Sequence, residues 1–307
     1  MSAISRVRTA FDSGLSTELS KQQRQTLLAW VLLAPGVAIW LVYRGVPFFW
    51  NLYLTFFEMS YTGETTFVGL ENYAMILQDD VLVTAIFNTF VFFAAVPIAV
   101  AIALGLALLL NKKFLGAEVF RGVLFMPYIT MMVAIAVMWS YIYKTENGVF
   151  NFVLTQLNIV GAAIPWLGDS FWARIAVMLV YIWKTVGFYM VILLAGLQDV
   201  PKQVYEVASI DGAGRVEKFL YLTLPLLKPT LGVCAIIGLI NSFQLFDLVM
   251  VLTGTGPGHS TELLITWIYK QAFQFGNFGY AAVLTILLFV IMVALIGVGQ
   301  HLQNTYT

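Results

Sequence analysis

Residues 81–111 read VLVTAIFNTFVFFAAVPIAVAIALGLALLLN and contain no charged side chain. A helix rises about 1.5 Å per residue, so about 20 apolar residues cross the roughly 30 Å hydrocarbon layer of a bilayer. In lipid an α-helix satisfies its own backbone hydrogen bonds, which an isolated strand cannot do. The run is longer than one crossing needs, so we place a transmembrane helix at about 85–111, with the preceding residues at the outer interface.

Five other stretches of the chain are similarly apolar and carry at most one charge each. Together with the first they predict six transmembrane helices, at about 26–44, 85–111, 122–143, 175–198, 229–253 and 278–299. The predicted fold class is therefore an all-α integral membrane protein. It comprises a short N-terminal segment, 1–25, and a transmembrane domain, 26–307.

Composition supports this class and excludes several others. Hydrophobic residues make up 60% of the 307 residues and charged residues 10%, against about 45–50% and about 25% in soluble domains. Sixteen basic and sixteen acidic residues give no net charge, so no surface for nucleic acid is indicated. One cysteine and two histidines leave no disulfide framework and no zinc pattern, and we expect no metal and no cofactor.

Lysine and arginine are distributed unevenly between the two sides of the predicted helices. One side receives eleven of them: Arg6, Arg8, Lys21, Arg24, Lys112, Lys113, Arg121, Lys202, Arg215, Lys218 and Lys228. The other receives Arg44, Lys144, Arg174 and Lys270. Because cytoplasmic loops retain positive charge, both termini are predicted to be cytoplasmic. Segments 45–80 and 144–174 then lie outside and are long enough to have structure of their own.

The predicted cytoplasmic segment 199–228 has a helical pattern of its own. Val204, Val207 and Ala208 repeat at i, i+3 and i+4, which predicts one apolar stripe on a helix that starts near Pro201. This helix is the first half of a unit that we call the bracket, defined as residues 199–228.

Glycines and a proline delimit the second half of the bracket. Gly212 is expected to end the first helix, because glycine adopts the left-handed conformation without a steric penalty. A second short helix is predicted over 215–222, and Pro225 is expected to stop it. The result is a helix–turn–helix unit at the inner face of the membrane.

Seven positions of the bracket resemble the EAA loop of ABC-importer permeases. That loop has the pattern EAA, three residues, G, nine residues, I, one residue, LP. The corresponding residues here are Glu206, Val207, Ala208, Gly212, Leu222, Leu224 and Pro225. Val207 stands for alanine and Leu222 for isoleucine, and neither change alters the polarity of the loop.

Other stretches are similar to the carbohydrate-type branch, which contains the maltose and glycerol-3-phosphate permeases. They are Trp183-Lys184, AGLQ at 195–198, FDL at 246–248, LTGTGP at 252–257 and VGLENY at 68–73. The resemblance covers nearly the whole chain beyond residue 25.

The resemblance implies an ATP-driven importer of sugars or related polyols in the cytoplasmic membrane of a bacterium. The chain would be one of two different permease subunits, working with two cytoplasmic ATPase subunits and an extracytoplasmic solute-binding protein. In this family the EAA helix docks in a cleft of the ATPase. The particular sugar or polyol, including glycerol-3-phosphate, stays open.

Absent motifs agree with a transport subunit that is not itself an enzyme. The chain has no GxxxxGK[ST] phosphate loop, so ATP hydrolysis is expected on a partner chain. An intramembrane enzyme is disfavoured because His259 and His301 belong to no HExxH motif. A secondary transporter or channel subunit is the alternative function, although it would not explain the EAA spacing.

Each candidate in the bracket also has a plainer explanation. Glu206 is either a contact for the ATPase or a solvated helix charge, and Gly212 serves the turn and thereby the partner. Ala208 is small enough to let another surface approach closely, and Pro225 fixes the exit toward the next span. These residues, with Val207 and Leu222, are the predicted ATPase-coupling site.

Two charges fall inside predicted spans, where insertion costs about 2.5–3.5 kcal/mol each. Lys184 and Asp247 have similar depths, which allows either an ion pair between two helices or a position on a translocation path. Asn241, Gln244 and Asp247 are spaced i, i+3 and i+6, as one face of a helix lining a hydrated cavity would require. The predicted path therefore comprises Lys184, Asn241, Gln244 and Asp247.

Overall fold

A computed structural model describes residues 20–59, 63–112, 115–243 and 245–305, with only the backbone for Lys21 and 300–305. Arg6, Arg8, Lys113 and Gln244, which entered the predictions above, lie outside the described residues. The described chain is mostly helical, as predicted.

The helices are α1 Lys21–Trp40, α2 Val46–Leu54, α3 Glu71–Ala74, α4 Asp80–Phe93, α5 Ala95–Leu110, α6 Ala117–Ile129, α7 Met132–Ile142, α8 Val149–Gln156, α9 Ser170–Asp199, α10 Lys202–Ile210, α11 Arg215–Lys218, α12 Leu224–Leu226, α13 Lys228–Phe243, α14 Phe246–Leu252, α15 Leu264–Tyr269 and α16 Phe278–Thr305. Wide π turns occupy Leu41–Gly45, Phe219–Thr223 and Lys270–Gln274, and a 3₁₀ turn occupies Met75–Gln78. A small antiparallel hairpin pairs β1, Phe57–Met59, with β2, Thr65–Phe67.

Four continuous helical stretches within the described residues are long and apolar enough to cross a membrane. They are Gln22–Leu54, Asp80–Leu110, Ser170–Asp199 and Phe278–Gly299. Two bent pairs pass the same test together: α6 with α7, bent by 97°, and the helical stretch Arg215–Leu226 with α13, bent by 63°. The described chain therefore has four candidate spans, or up to six if each bent pair counts as one crossing.

The third predicted span is not one straight helix. The prediction of a single helix over 122–143 was wrong, because the backbone is extended at Thr130 (ψ 141°) and Met131 (ψ 133°). Pro127 lies in the last turn before this break, where it has no amide hydrogen to donate. The chain thus turns sharply between α6 and α7.

The fifth predicted span is also interrupted. The single helix predicted over 229–253 was wrong, since α13 ends at Phe243 and α14 begins at Phe246. A helical face counted across this break does not continue through it. The fold therefore contains two interrupted helices where the apolar runs predicted continuous ones.

The core forms around α9, which packs against α5 and α6. On α5 the contact face carries Ala99, Ala103 and Ala107 at intervals of four residues, and all three are fully buried. Small residues at this spacing let two helix backbones approach closely, which is how helices associate in lipid. Met190 and Leu193 of α9 belong to the same buried cluster.

A buried ionic network closes one end of the bundle. The Glu262 carboxylate is completely buried and lies 2.6 Å from Lys270 Nζ and 2.9 Å from His259 Nδ1. Asn88 Nδ2 donates to the carbonyl oxygen of Glu262 at 3.0 Å, and Arg174 Nε donates to Asn88 Oδ1 at 3.0 Å. The loop that follows α14 is thereby tied to α4 and α9.

Glu262→Gln should lower the thermal stability of the purified protein in detergent. The substitution keeps the side chain's size but leaves the Lys270 ammonium without its buried counter-charge, and breaking a buried pair costs about 3–5 kcal/mol. Differential scanning fluorimetry measures the shift. The control is Glu146→Gln, because Glu146 is exposed. Equal melting temperatures for the two variants would contradict a stabilising role for the network.

Candidate functional site

The first helix of the bracket exposes part of its apolar stripe. Helix α10 starts directly after Pro201, whose fixed φ is compatible with a helix N-terminus. Val204 and Ala208 are half-buried, as an inward stripe requires, but Val207 is 57% exposed and Ile210 85% exposed. The helix therefore presents apolar side chains outward as well as inward.

The turn after α10 has the geometry predicted for Gly212. Its φ is +81°, in the left-handed region. The amide of Gly212 donates to the carbonyl of Ser209 at 3.3 Å, and the amide of Ala213 donates to that of Ala208 at 2.9 Å. This pair of bonds is a Schellman motif, which satisfies the last carbonyls of the helix. No atom lies within 4 Å of a Cβ built on Gly212, so backbone conformation alone requires glycine here.

Pro225 does not stop the second helix of the bracket, contrary to prediction. Helix α11 continues through the wide turn Phe219–Thr223 into α12, which contains Pro225. A π turn accommodates a proline because its i→i+5 bonding relaxes the tight helical pattern that the ring would clash with. Regular bonding resumes at once, since the Leu227 amide donates to the Thr223 carbonyl at 3.0 Å.

Side-chain bonds hold the two halves of the bracket together. Tyr205 Oη and Thr223 Oγ1 are 3.1 Å apart, and Lys218 Nζ donates to Ser209 Oγ at 2.6 Å. At the start of α11, Glu217 Oε2 accepts the Gly214 amide at 2.6 Å. The bracket is thus a braced helix–turn–helix unit, as the sequence predicted.

The predicted coupling residues occupy two parts of the bracket surface. Ala208, Gly212 and Leu222 line one cavity of about 400 Å³. Glu206, Val207 and Pro225 are exposed and do not line it. The Glu206 carboxylate makes no hydrogen bond or ion pair with any described residue.

An apolar patch on the bracket was missed by the sequence analysis. Ile210 is 85% exposed, Tyr221 75% and Val216 69%. With Val207 they are the apolar side chains of the bracket that are more than half exposed. We call this set the apolar bracket patch, defined as Val207, Ile210, Val216 and Tyr221. The sequence indicated this surface only indirectly: the bracket contains more apolar residues than one inward-facing helical stripe can hold.

Lys184 and Asp247 do not form an ion pair in the described structure. Lys184 lies in α9, and its Nζ donates to the carbonyls of Pro127, Tyr128 and Thr130 at 3.2, 3.0 and 2.6 Å. Asp247 is exposed, in the first turn of α14. The structure thus provides the lysine with backbone partners in place of the carboxylate considered above.

The predicted polar face of the fifth span is split. Asn241 is half-buried near the end of α13, beside the Tyr189 hydroxyl. Asp247 lies in α14, on the other side of the break between α13 and α14. Gln244 lies outside the described residues. The spacing i, i+3, i+6 therefore does not describe one continuous helical face.

The bend of the third span opens a groove of about 790 Å³ in the membrane-spanning region. Its lining is mainly apolar and includes the aromatic rings of Trp139, Phe150 and Trp183. Pro127 and Thr130 contribute the edge at the break. The groove was not predicted from the sequence, because the groove depends on the bend. Pro127 was the residue that could have indicated this bend.

Bent candidate spans around a core helix, with a braced helical bracket at one end, agree with a membrane transport subunit. Residues 80–306 match the family described as the binding-protein-dependent transport system inner membrane component. The chain belongs to that family, which confirms the family predicted from the sequence.

Relatives and solved structures agree with this assignment. The chain is 35% identical over 282 residues to the sulfoquinovosyl glycerol transport system permease protein SmoG of Agrobacterium fabrum, covering 91% of each chain. It is 32% identical over 285 residues to the trehalose/maltose transport system permease protein MalF of Thermococcus litoralis, covering 92% of this chain and 95% of the relative. A chain from a bacterial ABC transporter that imports alginate has the same fold, with a TM-score of 0.80 at 21% identity, covering 94% and 98%.

Gly212→Ala should loosen the turn of the bracket. A side chain at φ +81° costs about 1–2 kcal/mol, so the amides of Gly212 and Ala213 in the Schellman motif should exchange faster. Hydrogen–deuterium exchange by mass spectrometry over 202–226 measures this. Gly214→Ala is the control, because Gly214 has φ −71°. The explanation fails if both substitutions leave exchange unchanged.

Proposed function

We propose that this chain is one membrane subunit of an ATP-driven importer for a sugar or related polyol. The permeases it resembles are named for sulfoquinovosyl glycerol, trehalose and maltose, and lactose. All are polyhydroxylated sugars or glycosides. The substrate class proposed here is the class that these relatives share.

The bracket is the proposed docking element for a separate ATPase subunit, and this observation carries the proposal. It combines the EAA-like spacing with the uncompensated Glu206 carboxylate and the apolar bracket patch. A patch of exposed apolar side chains rimmed by polar groups is characteristic of a protein-binding surface. Because the sequence has no phosphate loop, ATP hydrolysis is assigned to that partner.

The topology in this proposal follows the basic residues. Both termini and the bracket are cytoplasmic. The bent pair of α6 and α7 counts as one crossing and the stretch from α13 to α14 as another, which with the four continuous stretches gives six. The membrane is the cytoplasmic membrane of a bacterium. Transmembrane domain 26–307, with the bracket as its coupling loop, is the working unit of the chain.

A second permease subunit is proposed to cover the first helix. Within the stretch Gln22–Leu54 the most apolar window is not buried by the rest of the chain at all. Trp30, Leu33 and Ile39 are each more than half exposed. Among the described residues, the outer end is attached through Phe48 against Phe289 and through the Asn51 side chain, which donates to the Ala282 carbonyl at 3.3 Å. A helix so placed supplies a large surface for another subunit.

The outer segments are the proposed contact for a solute-binding protein. One solved relative is described in complex with an alginate pentasaccharide-bound periplasmic protein. The segments here, 45–80 and 144–174, contain ordered elements: the small hairpin and α8. Asn151 fixes α8 by donating to the Ile164 carbonyl at 2.9 Å and accepting from Trp166 Nε1 at 2.9 Å.

Asn241, Gln244 and Asp247 remain the proposed polar lining of the translocation path. The break between α13 and α14 supports this for Asp247, since an exposed carboxylate at membrane depth requires water or a polar partner. A carboxylate and an amide are suited to accept and donate hydrogen bonds to solute hydroxyl groups. Lys184 is assigned a different role below.

Reconstitution in vesicles tests the function. The purified permease pair with its ATPase should import the solute carried by its binding protein when ATP is supplied on the cytoplasmic side.

In the same system Glu206→Ala should reduce co-purification of the ATPase without reducing membrane insertion, because it removes a charge from the docking surface.

Glu146→Ala, on the exposed outer side, is the matched control. Uptake driven by an ion gradient in the absence of the ATPase would favour the alternative, a secondary transporter or channel subunit. Undiminished ATPase recovery and transport with Glu206→Ala would remove this residue from the docking surface.

Asp247→Asn should lower uptake per assembled complex by roughly ten-fold, because hydrogen bonds to a charged group are worth about 1.5–3 kcal/mol. Radiolabelled-solute uptake, normalised to complex recovered from the vesicles, gives the value. Asp80→Asn serves for comparison, since Asp80 is also an exposed acid in the first turn of a helix. Unaltered uptake would leave Asp247 outside the path.

A further inference from the structure

The break in the third span creates unpaired backbone groups inside the membrane region. The amides that would bond the last carbonyls of α6 in a continuous helix are displaced, because Thr130 and Met131 are extended. An unsatisfied polar group in hydrocarbon costs several kcal/mol. A bend at this depth therefore requires another donor.

Lys184 provides that donor. A lysine ammonium carries three N–H groups, and Nζ lies within hydrogen-bonding distance of three carbonyls, those of Pro127, Tyr128 and Thr130. The Pro127 carbonyl also accepts the Thr130 amide at 3.3 Å, so the ammonium replaces a displaced amide at Tyr128 and Thr130. The residue is only 8% exposed. Its positive charge lies at the C-terminal end of α6, where the helix dipole is negative. The charge is thus stabilised without a carboxylate.

Further contacts join α6 to α9 around the same lysine. A Cβ on Gly187 would overlap the carbonyl oxygen of Leu124, so only glycine allows this approach. One helical turn after Lys184, the ring of Phe188 stacks on the ring of Tyr128, with centroids 4.2 Å apart and planes 11° apart. Helix α6 and the middle of α9 therefore behave as one packed unit.

The other half of the third span has a different main partner. Helix α7 packs mainly against α14, beyond the break in the fifth span. It also reaches α9, since the ring centroids of Trp139 and Trp183 lie 5.5 Å apart. Thr130 and Met131 therefore join two helices with different main partners. The groove edge formed by Pro127 and Thr130 lies at this junction.

We propose that Lys184 is a positioning residue for transport: it holds the bend of the third span on α9, so that movement of the bracket reshapes the groove. The proposal rests on the proposed function, because it requires that the bracket receives movement from an ATPase. Lys184 is fifteen residues before the end of α9 at Asp199, which is about 22 Å along the helix. The bracket helix α10 begins three residues later, so α9 links the two places directly.

This assignment differs from both roles considered from the sequence. An ion pair with Asp247 would make the two residues interdependent, and a position on the path would make Lys184 accessible to water. Three hydrogen bonds to backbone carbonyls predict neither interdependence with Asp247 nor access to water. They predict that the number of hydrogen-bond donors at residue 184 controls how much solute moves per ATP hydrolysed.

The experiment compares Lys184→Arg, Lys184→Gln and Lys184→Met in reconstituted complexes that retain the ATPase. Arginine keeps the charge and offers five donors, glutamine offers two donors without charge, and methionine offers none. Solute transported per ATP hydrolysed should rank wild type and arginine above glutamine and glutamine above methionine, with methionine lowered at least about ten-fold. Lys144→Met, on the exposed outer side, is the control.

Wild-type coupling in an assembled Lys184→Met complex would overturn the proposal. If that variant does not assemble, the comparison rests on arginine and glutamine, and an arginine variant no better than glutamine would overturn it equally. Failure of the proposed function has a separate signature, because ATP would then drive no import even in the wild-type complex.

Accessibility of residue 184 to water gives a second, independent measurement. In a Cys234→Ser background, which removes the single native cysteine, Lys184→Cys should resist a membrane-impermeant thiol reagent with and without ATP. Asp247→Cys in the same background should react. If the reagent modified the Lys184→Cys variant and solute prevented that modification, residue 184 would lie on the path and the positioning role would be overturned.

Discussion

Every backbone amide and carbonyl inside the bilayer must find a partner within the protein, and the rest of this structure depends on that constraint. Straight helices satisfy it automatically, which is why the long apolar stretches form the frame of the molecule. The third span departs from it at Thr130 and Met131. Three carbonyls at this break accept hydrogen bonds from the buried ammonium of Lys184. A charge that looks costly in the sequence thus satisfies the backbone in the fold.

The bracket meets a different physical requirement, because in the proposed function it must be ordered while leaving its surface free for another protein. Its order comes from short-range bonds: the Schellman motif around Gly212 and the Tyr205–Thr223 and Lys218–Ser209 contacts. These bonds use inward and terminal groups. Apolar side chains such as Ile210 and Tyr221 remain outside. Local bonding and outward apolar surface together suit an element that transmits movement as a rigid body.

Local features of the sequence were predicted well, and long-range ones were not. Gly212 was recognised because a left-handed turn has a strong residue preference that neighbouring residues do not change. Helical character of the apolar runs was recognised for a similar reason. Pro225 was misjudged, since the wide turn before it is set by the path of the chain into α13 and has no residue signature.

The partners of Lys184 could not be predicted from side-chain chemistry. A search for its counter-charge considers carboxylates such as Asp247, whereas backbone carbonyls are present at every residue and carry no sequence signal. Only the bend, marked weakly by Pro127, turns three of them toward the ammonium. The network around Glu262 was missed in the same way, because Asn88 and Arg174 are distant in sequence from the loop that they hold.

The isolation of the first helix has a consequence for the biogenesis of the protein. Its apolar window is not buried by the remaining chain, so this helix can enter the bilayer as an autonomous unit and wait in lipid while the later helices fold around α9. Helices that insert individually and associate afterwards follow the two-stage pathway of membrane proteins. In the proposed function, packing of this helix against the second permease subunit is then the last step of assembly.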